Sequence, residues 1–596
     1  MARRFVVGID LGTTNSVLAY TPLDIEKPQV EVFEIPQFVA PGSLERLSVL
    51  PSFAFLPPEE PSGSEAFRLP WPTRSRAIIG EFARLQSAEF PERTVVAAKS
   101  WLCYRRADRH QPILPWNAPE DVPKISPVTA SQRFLEHLAG AWDAAFPDAP
   151  IREQLVVLTV PASFDAVARE LTREAALAAG LPDELVLLEE PQAAFYAWLA
   201  SVGDSWRKRL KLHDRLLVCD VGGGTTDLTL IEVAEEAGEL VLQRVAVGKH
   251  LLVGGDNMDL ALAHWVAERF REKGIDLDPW QSIALWHSCR AAKEKLLGDD
   301  APERTPVTIL GRGRRLVGGT QRVDVEREHV LQFLTEGFFP ACDLADRPRR
   351  QARVGFQELG LPYEPDTAIT RHVAAFLTDH GADAPARPTH VLFNGGVFKA
   401  PAFRRRVLEV LQRWFPDHVA QSLLDTPFDF DHAVARGAAY YGWAKKHGGV
   451  RIRGGTARSY YIGIESAGLA IPGAPRPLRA LCVVPFGMEE GTECDVPSSE
   501  IGLVHGEPAQ FRFFSSAVRK QDRPGDILTR WSEEELVETT SLETTLPADE
   551  AIDEPYVPVK FRSRITEVGM LELWCVSTRT PGRWKLEFSV RDEPES

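Results

Sequence analysis

The apolar residues fall into two regimes along the chain. Up to about residue 447, short solid apolar runs alternate with stretches whose apolar positions recur every three or four residues. Such a pattern predicts buried strands between amphipathic helices. The strands are expected at Arg4–Ile9, Val17–Tyr20, Gln154–Val160, Leu185–Leu188, Leu216–Cys219, Leu228–Ile231, Leu240–Gly248 and Thr389–Phe393. Helices are expected at Ala130–Ala145, Phe164–Ala179, Gln192–Ala200, Met258–Lys273, Pro279–Leu297, Glu326–Phe339, Ala368–Thr378, Phe403–Phe415 and Asp431–Ala444. Beyond residue 458 only short alternating runs with turn signals occur, which predicts a small all-β region. The division is therefore an α/β region over 1–447, a Gly/Arg-rich linker at 448–458 and a β region over 459–596. Pro57–Trp71 and the acidic stretch Ser532–Glu554 read as surface loops, and Asp343–Asp366 shows no clear element.

Two of the turns repeat. Leu216–Cys219 leads into Asp220, three glycines, Thr225, Thr226 and Asp227, and a second apolar run follows at once. The N-terminal strand leads in the same way into Asp10, Leu11, Gly12, Thr13, Thr14, Asn15 and Ser16. Both read as β-hairpins, so two similar lobes should face one ligand. Glycines let backbone N–H groups approach an anion, and the hydroxyls add donors. With carboxylates at the turn edges, the set suits a phosphate beside a hydrated Mg²⁺.

Composition narrows the setting. A chain of 596 residues is too long for one core. A net charge of −16 argues against general nucleic-acid or acidic-membrane binding. Seven scattered cysteines without a C-x-x-C suggest neither a zinc site nor a disulfide framework, and fit a reducing cytoplasm. Asp10 ends the first apolar run too early for a signal peptide, and no apolar stretch is long enough to span a membrane.

Seven segments in order resemble the Hsp70/DnaK-like chaperones of the actin-like ATPase superfamily. They are GIDLGTTNS from Gly8, VPASF from Val160, EEPQAA from Glu189, DVGGGTTDLT from Asp220, VGGDNMD from Val253, FNGGVFKAP from Phe393 and DHAVARGAA from Asp431. Arg169 stands eight residues after Pro161, as in that family. The resemblance implies an α/β two-lobed actin-like ATPase domain with ribonuclease H-like duplicated lobes, followed by a small β-sandwich. It implies slow hydrolysis of ATP to ADP, with Mg²⁺ and K⁺ as candidate cations. Asp10, Asp220 and Asp227 would orient waters on Mg²⁺. Gly12, Thr13, Thr14, Asn15, Gly222, Gly223, Gly224 and Thr225 would contact phosphates, with Thr225 also counted as catalytic. Lys99 would touch the attacking water and the γ-phosphate, and Glu190 would place that water. Gly254, Gly255, Lys293, Gly395, Gly396 and Lys399 would line the rest of the nucleotide site. Glu189 is read as a solvated neighbour without a role.

The implied partners are unfolded or extended protein clients, a J-domain co-chaperone and an exchange factor, with no nucleic acid and no membrane. YYIGIES from Tyr460 and GMLELWCVS from Gly569 resemble strands of the substrate-binding sandwich, and Ser596 falls where that family's helical lid would begin. Three departures modify the expectation. Arg290 and Leu297 replace the family's glutamate and small polar residue while Lys293 keeps its lysine, and Lys399 replaces its adenine-stacking arginine, which predicts weaker or less base-selective binding. GGVRIRGGTAR is basic where the family linker is acidic and leucine-rich. Asp343–Asp366 reads as an insertion in the lobe that exchange factors grip. Other readings are an ATP-dependent switch with little turnover, an actin-fold small-molecule kinase and a filament-forming relative.

Overall fold

The computed structural model describes residues 3–588 apart from 59–64, 74, 105–106, 117, 237–238, 299, 311–319, 350–360, 362, 382–383, 425–427, 449–451, 454, 457, 466–477, 490, 505–507, 534, 540–541, 546–555 and 567–570. Parts of 448–458, read as a linker, of 343–366, read as an insertion, and of the acidic 532–554 stretch thus lie outside the described residues.

Two sheets carry the α/β region, and they share one plan. In the first, Phe5–Leu11 pairs antiparallel with Asn15–Pro22 and, on its other edge, parallel with Leu155–Val160, which is followed outward by Val186–Glu189. In the second, Arg215–Val221 pairs antiparallel with Thr226–Glu236 and parallel with His390–Asn394. The repeated hairpin is thus the centre of each lobe. This is the duplicated two-lobed, actin-like plan.

The central strands are solid apolar runs because both of their faces are covered, as in parallel sheets generally. Their alternation sends neighbouring residues to different cores. Val7 and Ile9 join the core of the first lobe with Phe134 and Trp142. Leu217 and Cys219 join that of the second with Met258, Leu262 and Phe393. Val6, Leu216 and Val218 turn instead to a third core between the lobes.

Helices Glu190–Val202 and Ala433–His447 run through that third core, and each crosses to the other lobe. Trp198, reached from the first lobe, donates its indole N–H to Leu423 O of the second at 3.0 Å. Gly437 returns against the first lobe's helix, where a Cβ would overlap the Ala193 carbonyl oxygen. The crossing is close because small residues line it.

The C-terminal region is two packed antiparallel sheets. One orders Ile527–Leu528, Leu478–Val484, Ser459–Glu465, Phe513–Ser516 and Val537–Glu538; the other is built on Tyr556–Ile565 and Leu571–Ser577. Tyr556–Ile565 alternates buried and accessible residues along its length, and Val559, Phe561, Leu573 and Cys575 meet Ile462, Leu481 and Phe513 in the core.

Three local expectations change. The acidic 532–554 stretch is not only loop, since Val537–Glu538 adds an edge strand to one sheet of the sandwich and Leu542–Thr545 pairs on both sides in the other. The sequence reading missed an outlying hairpin, Ile35–Ala40 with Ser43–Leu47. The 448–458 segment is not wholly extended between domains. Its residues Ile452–Arg453 pair in parallel with Leu242–Gln243 at the edge of the second sheet. Among the described residues no helix is long and apolar enough to cross a membrane.

Candidate active site

The two first strands end side by side in a cleft of about 400 Å³. Each ends in an acid clamped from behind by its parallel neighbour. Asp10 stands in register with Thr159, whose hydroxyl donates to its Oδ1 at 3.0 Å. Asp220 stands in register with Asn394, whose amide donates to its Oδ2 at 2.8 Å. The duplication therefore extends from the fold to the support of the acids.

The two turns face each other across the cleft. A Cβ on Gly223 would strike the Thr14 side chain, and one on Gly224 would sit 3.0 Å from Thr13 Cγ2. Gly222 N–H closes its own turn on Thr225 O at 2.9 Å. Helix Gly255–Glu272 pins that turn from below, through Gly255 N–H to Gly222 O at 3.0 Å and Asp256 N–H to Gly223 O at 2.7 Å. Gly254 supports rather than lines the cleft, since a Cβ there would lie 2.6 Å from both carbonyls. On the other side Ser52 holds the first turn by donating its hydroxyl to Gly12 O at 2.8 Å. Asp10, Gly12, Thr13, Thr14, Asn15, Gly222, Gly223, Thr225, Asp227, Gly255, Gly395 and Gly396 all line the cleft, and Gly224 and Gly254 do not. Thr14 Oγ1 is buried without a hydrogen-bond partner among the described residues, as a hydroxyl awaiting an anionic oxygen would be.

Lys99 and Glu190 meet as an ion pair on the cleft wall. Lys99 lies in the short helix Ala98–Trp101, whose preceding residue Ala97 has φ 53°. A left-handed alanine is strained, and here it turns the chain so that the lysine enters the cleft. Glu190 opens the helix Glu190–Val202. One lysine thus stands among Glu190, Asp10, Asp220 and Asp227. Burial pushes the Lys99 ammonium down, but Glu190 and then Asp10 outweigh it and hold the group above its ordinary value. Burial raises Glu190 to about 7 against the pull of Lys99, with Asp10 and Asp227 adding to the rise. Burial and then the Glu190 charge raise Asp220 to about 8. The cleft is therefore short of positive charge, which suits a divalent cation. Among the described residues no three acids, histidines or cysteines are grouped to hold a metal directly.

The far end of the cleft is built differently. Arg290 pairs with Asp256 and donates to Asp259 at 2.7 Å, and Lys293 pairs with Asp259 at 2.6 Å. Lys399 is half exposed and pairs with Asp431 at 2.6 Å. Leu297, Val397 and Phe430 supply apolar wall beside them.

Glu189 corrects the sequence reading. It is 5% exposed, not solvated. Arg169 donates to its Oε1 at 2.6 Å and Arg244 pairs with its Oε2. Burial raises this carboxyl, but Arg244 and then Arg169 overcome burial and hold it below its ordinary value. Arg244 also donates to the carbonyl of Gly455. An acid before proline looks locally like a turn, and its partners are distant in sequence, so no local pattern reveals it. The clamps Thr159 and Asn394 were missed for the same reason, as were Ser163 and His250 behind Asp227.

The family model described as Hsp70 protein matches residues 6–309, about half of the chain. A chaperone protein HscA homolog of Pseudomonas aeruginosa (strain LESB58) is 32% identical over 323 residues, which is 51% of this chain and 43% of that protein. A chaperone protein DnaK of Thermotoga petrophila is 33% identical over 278 residues, 46% of this chain and 38% of that protein. The matches thus span less than half the length of these curated relatives. The family-model match includes both phosphate-type turns, and on this ground the chain belongs to the Hsp70 family.

Proposed function

We propose that this protein is an Hsp70-like chaperone ATPase that binds MgATP in the cleft and hydrolyses it slowly. The observation that carries this reading is the Lys99–Glu190 pair, set between two facing Gly/Thr turns and three clamped acids. Phosphoryl transfer needs mainly positioning and charge stabilisation, and these groups supply both. Thr13, Thr14, Asn15 and the Gly222–Thr225 turn offer donors to the phosphates. Glu190, raised to about 7, is suited to accept a proton from an attacking water at neutral pH. Lys99 balances charge on the γ-phosphate. Asp10, Asp220 and Asp227 would hold a hydrated metal, which when bound would neutralise phosphate charge.

The base end supports loose selectivity, because Lys399 is tied to Asp431 and Leu297 offers no polar contact. Calorimetry with ATP, GTP and ADP tests this, and tight binding of adenine nucleotides alone would refute it. The β-sandwich would take extended peptide from unfolded clients, by strand addition at an open edge. A J-domain co-chaperone and an exchange factor are the regulators this reading calls for. Seven free cysteines suit a reducing cytoplasm.

Single-turnover hydrolysis decides the enzymatic claim. Lys99→Ala and Glu190→Ala should each slow it by about a hundredfold or more. A wild type no faster than both variants would end the ATPase reading.

A further inference from the structure

Of the three acids carried by the central hairpins, Asp227 is the one without a donor in register on a neighbouring strand. Asp10 and Asp220 each have a donor in register on a parallel neighbour. Asp227 begins the returning strand of the second hairpin, and its register partner there is Asp220, another acid. The equivalent position in the first hairpin, opposite Asp10, is Val17. Asp227 therefore has no counterpart in the first lobe, and the duplication supplies no clamp for it. Two like charges facing across strands also repel, so this carboxylate needs donors from elsewhere.

Ser163 and His250 provide them. Ser163 is buried in the first lobe, between the strand Leu155–Val160 and the helix Ala166–Ala178. Its Oγ lies 2.5 Å from Asp227 Oδ1. His250, just beyond the strand Glu239–Val247 of the second lobe, brings Nδ1 to 2.9 Å from Ser163 Oγ and 3.3 Å from the same Asp227 oxygen. Phe164 packs edge-on against the imidazole at 5.9 Å. The proton count fixes the roles. The serine has one hydroxyl proton and the ionised carboxylate has none, so Ser163 donates to Asp227. Nδ1 of His250 must then carry a proton and donate to the serine oxygen, to Asp227, or to both. Both bonds converge on Oδ1, while Asp227 also lines the cleft.

We propose that Ser163 and His250 are positioning residues that fix the rotation of the Asp227 carboxylate toward the metal-bearing part of the cleft. Because Ser163 belongs to one lobe and Asp227 to the other, that rotation is set only when the lobes are closed on each other. The inference rests on the reading that the cleft takes a nucleotide with Mg²⁺, and it adds the residues that make the third acid competent.

The test measures ADP affinity by calorimetry with and without Mg²⁺, and single-turnover ATP hydrolysis beside it. A hydrogen bond to a charged group is worth roughly ten- to a hundredfold in an equilibrium. Ser163→Ala should therefore reduce the Mg²⁺-dependent gain in ADP affinity by about tenfold or more, with metal-free ADP affinity unchanged. Ser163→Thr, which keeps the hydroxyl, should restore the gain. His250→Asn, whose amide N–H can stand in for Nδ1–H, should retain more of it than His250→Ala. An undiminished gain in Ser163→Ala overturns the inference, and so does an equal loss of metal-free affinity, which would mark general damage to the pocket. A wild type with no Mg²⁺-dependent gain overturns it as well. Should the wild type bind MgADP in the expected pattern yet fail to hydrolyse ATP, the hydrolytic reading falls and the positioning role stands.

Discussion

Arg244 is a buried cation through which the 448–458 segment reaches the cleft wall. It is 3% exposed, on the strand Glu239–Val247. Its guanidinium joins Glu189 to the Gly455 carbonyl, just beyond the residues that pair with Leu242–Gln243. Ile452 adds a donated N–H to the Tyr196 hydroxyl at 2.9 Å. Arg244→Met keeps the length and removes the charge. Stripping one partner from a buried ion pair costs about 3–5 kcal/mol. Glu189 retains Arg169, so the lower end, about 3 kcal/mol of unfolding free energy, applies. Gly455 loses a charge-assisted hydrogen bond worth about 1.5–3 kcal/mol. Opening of the docked segment should then become roughly ten- to a hundredfold more frequent. Urea denaturation reads the first effect, and amide hydrogen exchange at Ile452 reads the second. A Glu189→Gln, Arg244→Met double variant should lose less than the two single losses added, because the glutamine removes the charge that the methionine strands. Wild-type stability together with wild-type exchange at Ile452 in Arg244→Met would refute the reasoning.

Glu189 also sets an acid dependence: its lowered value means that its stabilisation is present above the ordinary glutamate range and is lost as pH falls through the lowered value, so the Arg244→Met penalty should shrink toward pH 3 in urea melts. His137 acts at higher pH: burial lowers it to about 4 against its bond to Pro36 O, so between about pH 6.5 and 4 only the unfolded chain takes its proton and stability should fall by about 3 kcal/mol. His137→Gln, which keeps a donor for Pro36, should flatten that slope. Gly437→Ala should cost about 3 kcal/mol or more in denaturant unfolding, since its Cβ meets backbone that cannot turn aside. Lys399→Arg should tighten ATP binding about two- to fivefold in calorimetry, by setting a planar cation where a lysine now stands.

What the sequence made legible was local and repeated. The hairpins were readable because apolar runs around a Gly/Thr turn say both strand and reversal, and because Asp10 and Asp220 recur in the same context. The long helices were readable from their spacing, and Pro279–Leu297 was bounded to the residue. Lys99 and Glu190 were reached only through resemblance, since a lysine before a serine and an acid before a proline carry no spacing of their own. The supports were illegible for a related reason. Thr159, Asn394, Ser163 and His250 are single polar residues whose partners are set by strand register or by lobe closure. The acids between 532 and 554 hid two short strands, of which Val537–Glu538 lies at a sheet edge, where charge is tolerated. The basic character of 448–458 hid its docking, which among the described residues uses the apolar Ile452, the backbone and the Arg458 side chain.

Glu189 and Glu190 give the cleft and the docked segment a common element. They are consecutive, at the end of the strand Val186–Glu189 and the start of the helix Glu190–Val202. Extended backbone sends successive side chains to opposite sides. Glu190 accordingly enters the cleft against Lys99, while Glu189 turns away to Arg169 and Arg244. One peptide unit therefore carries both the carboxylate proposed to place the water and the carboxylate that holds Arg244, the cation on which the 448–458 segment docks. The helix beyond it crosses into the second lobe, where Trp198 anchors it to Leu423, and Gly437 of the returning helix allows it no slack. Releasing Gly455 from Arg244 alters the electrostatic load on Glu189, and any backbone shift by which Glu189 follows its partner turns the peptide plane it shares with Glu190. Because interiors are close-packed, such a turn is not absorbed locally. Docking of the segment and placement of the water should thus rise and fall together, so Arg244→Met should slow single-turnover hydrolysis even though Arg244 lies outside the cleft. Hydrolysis at the wild-type rate in a variant whose Ile452 amide exchanges faster would show that the two carboxylates move independently.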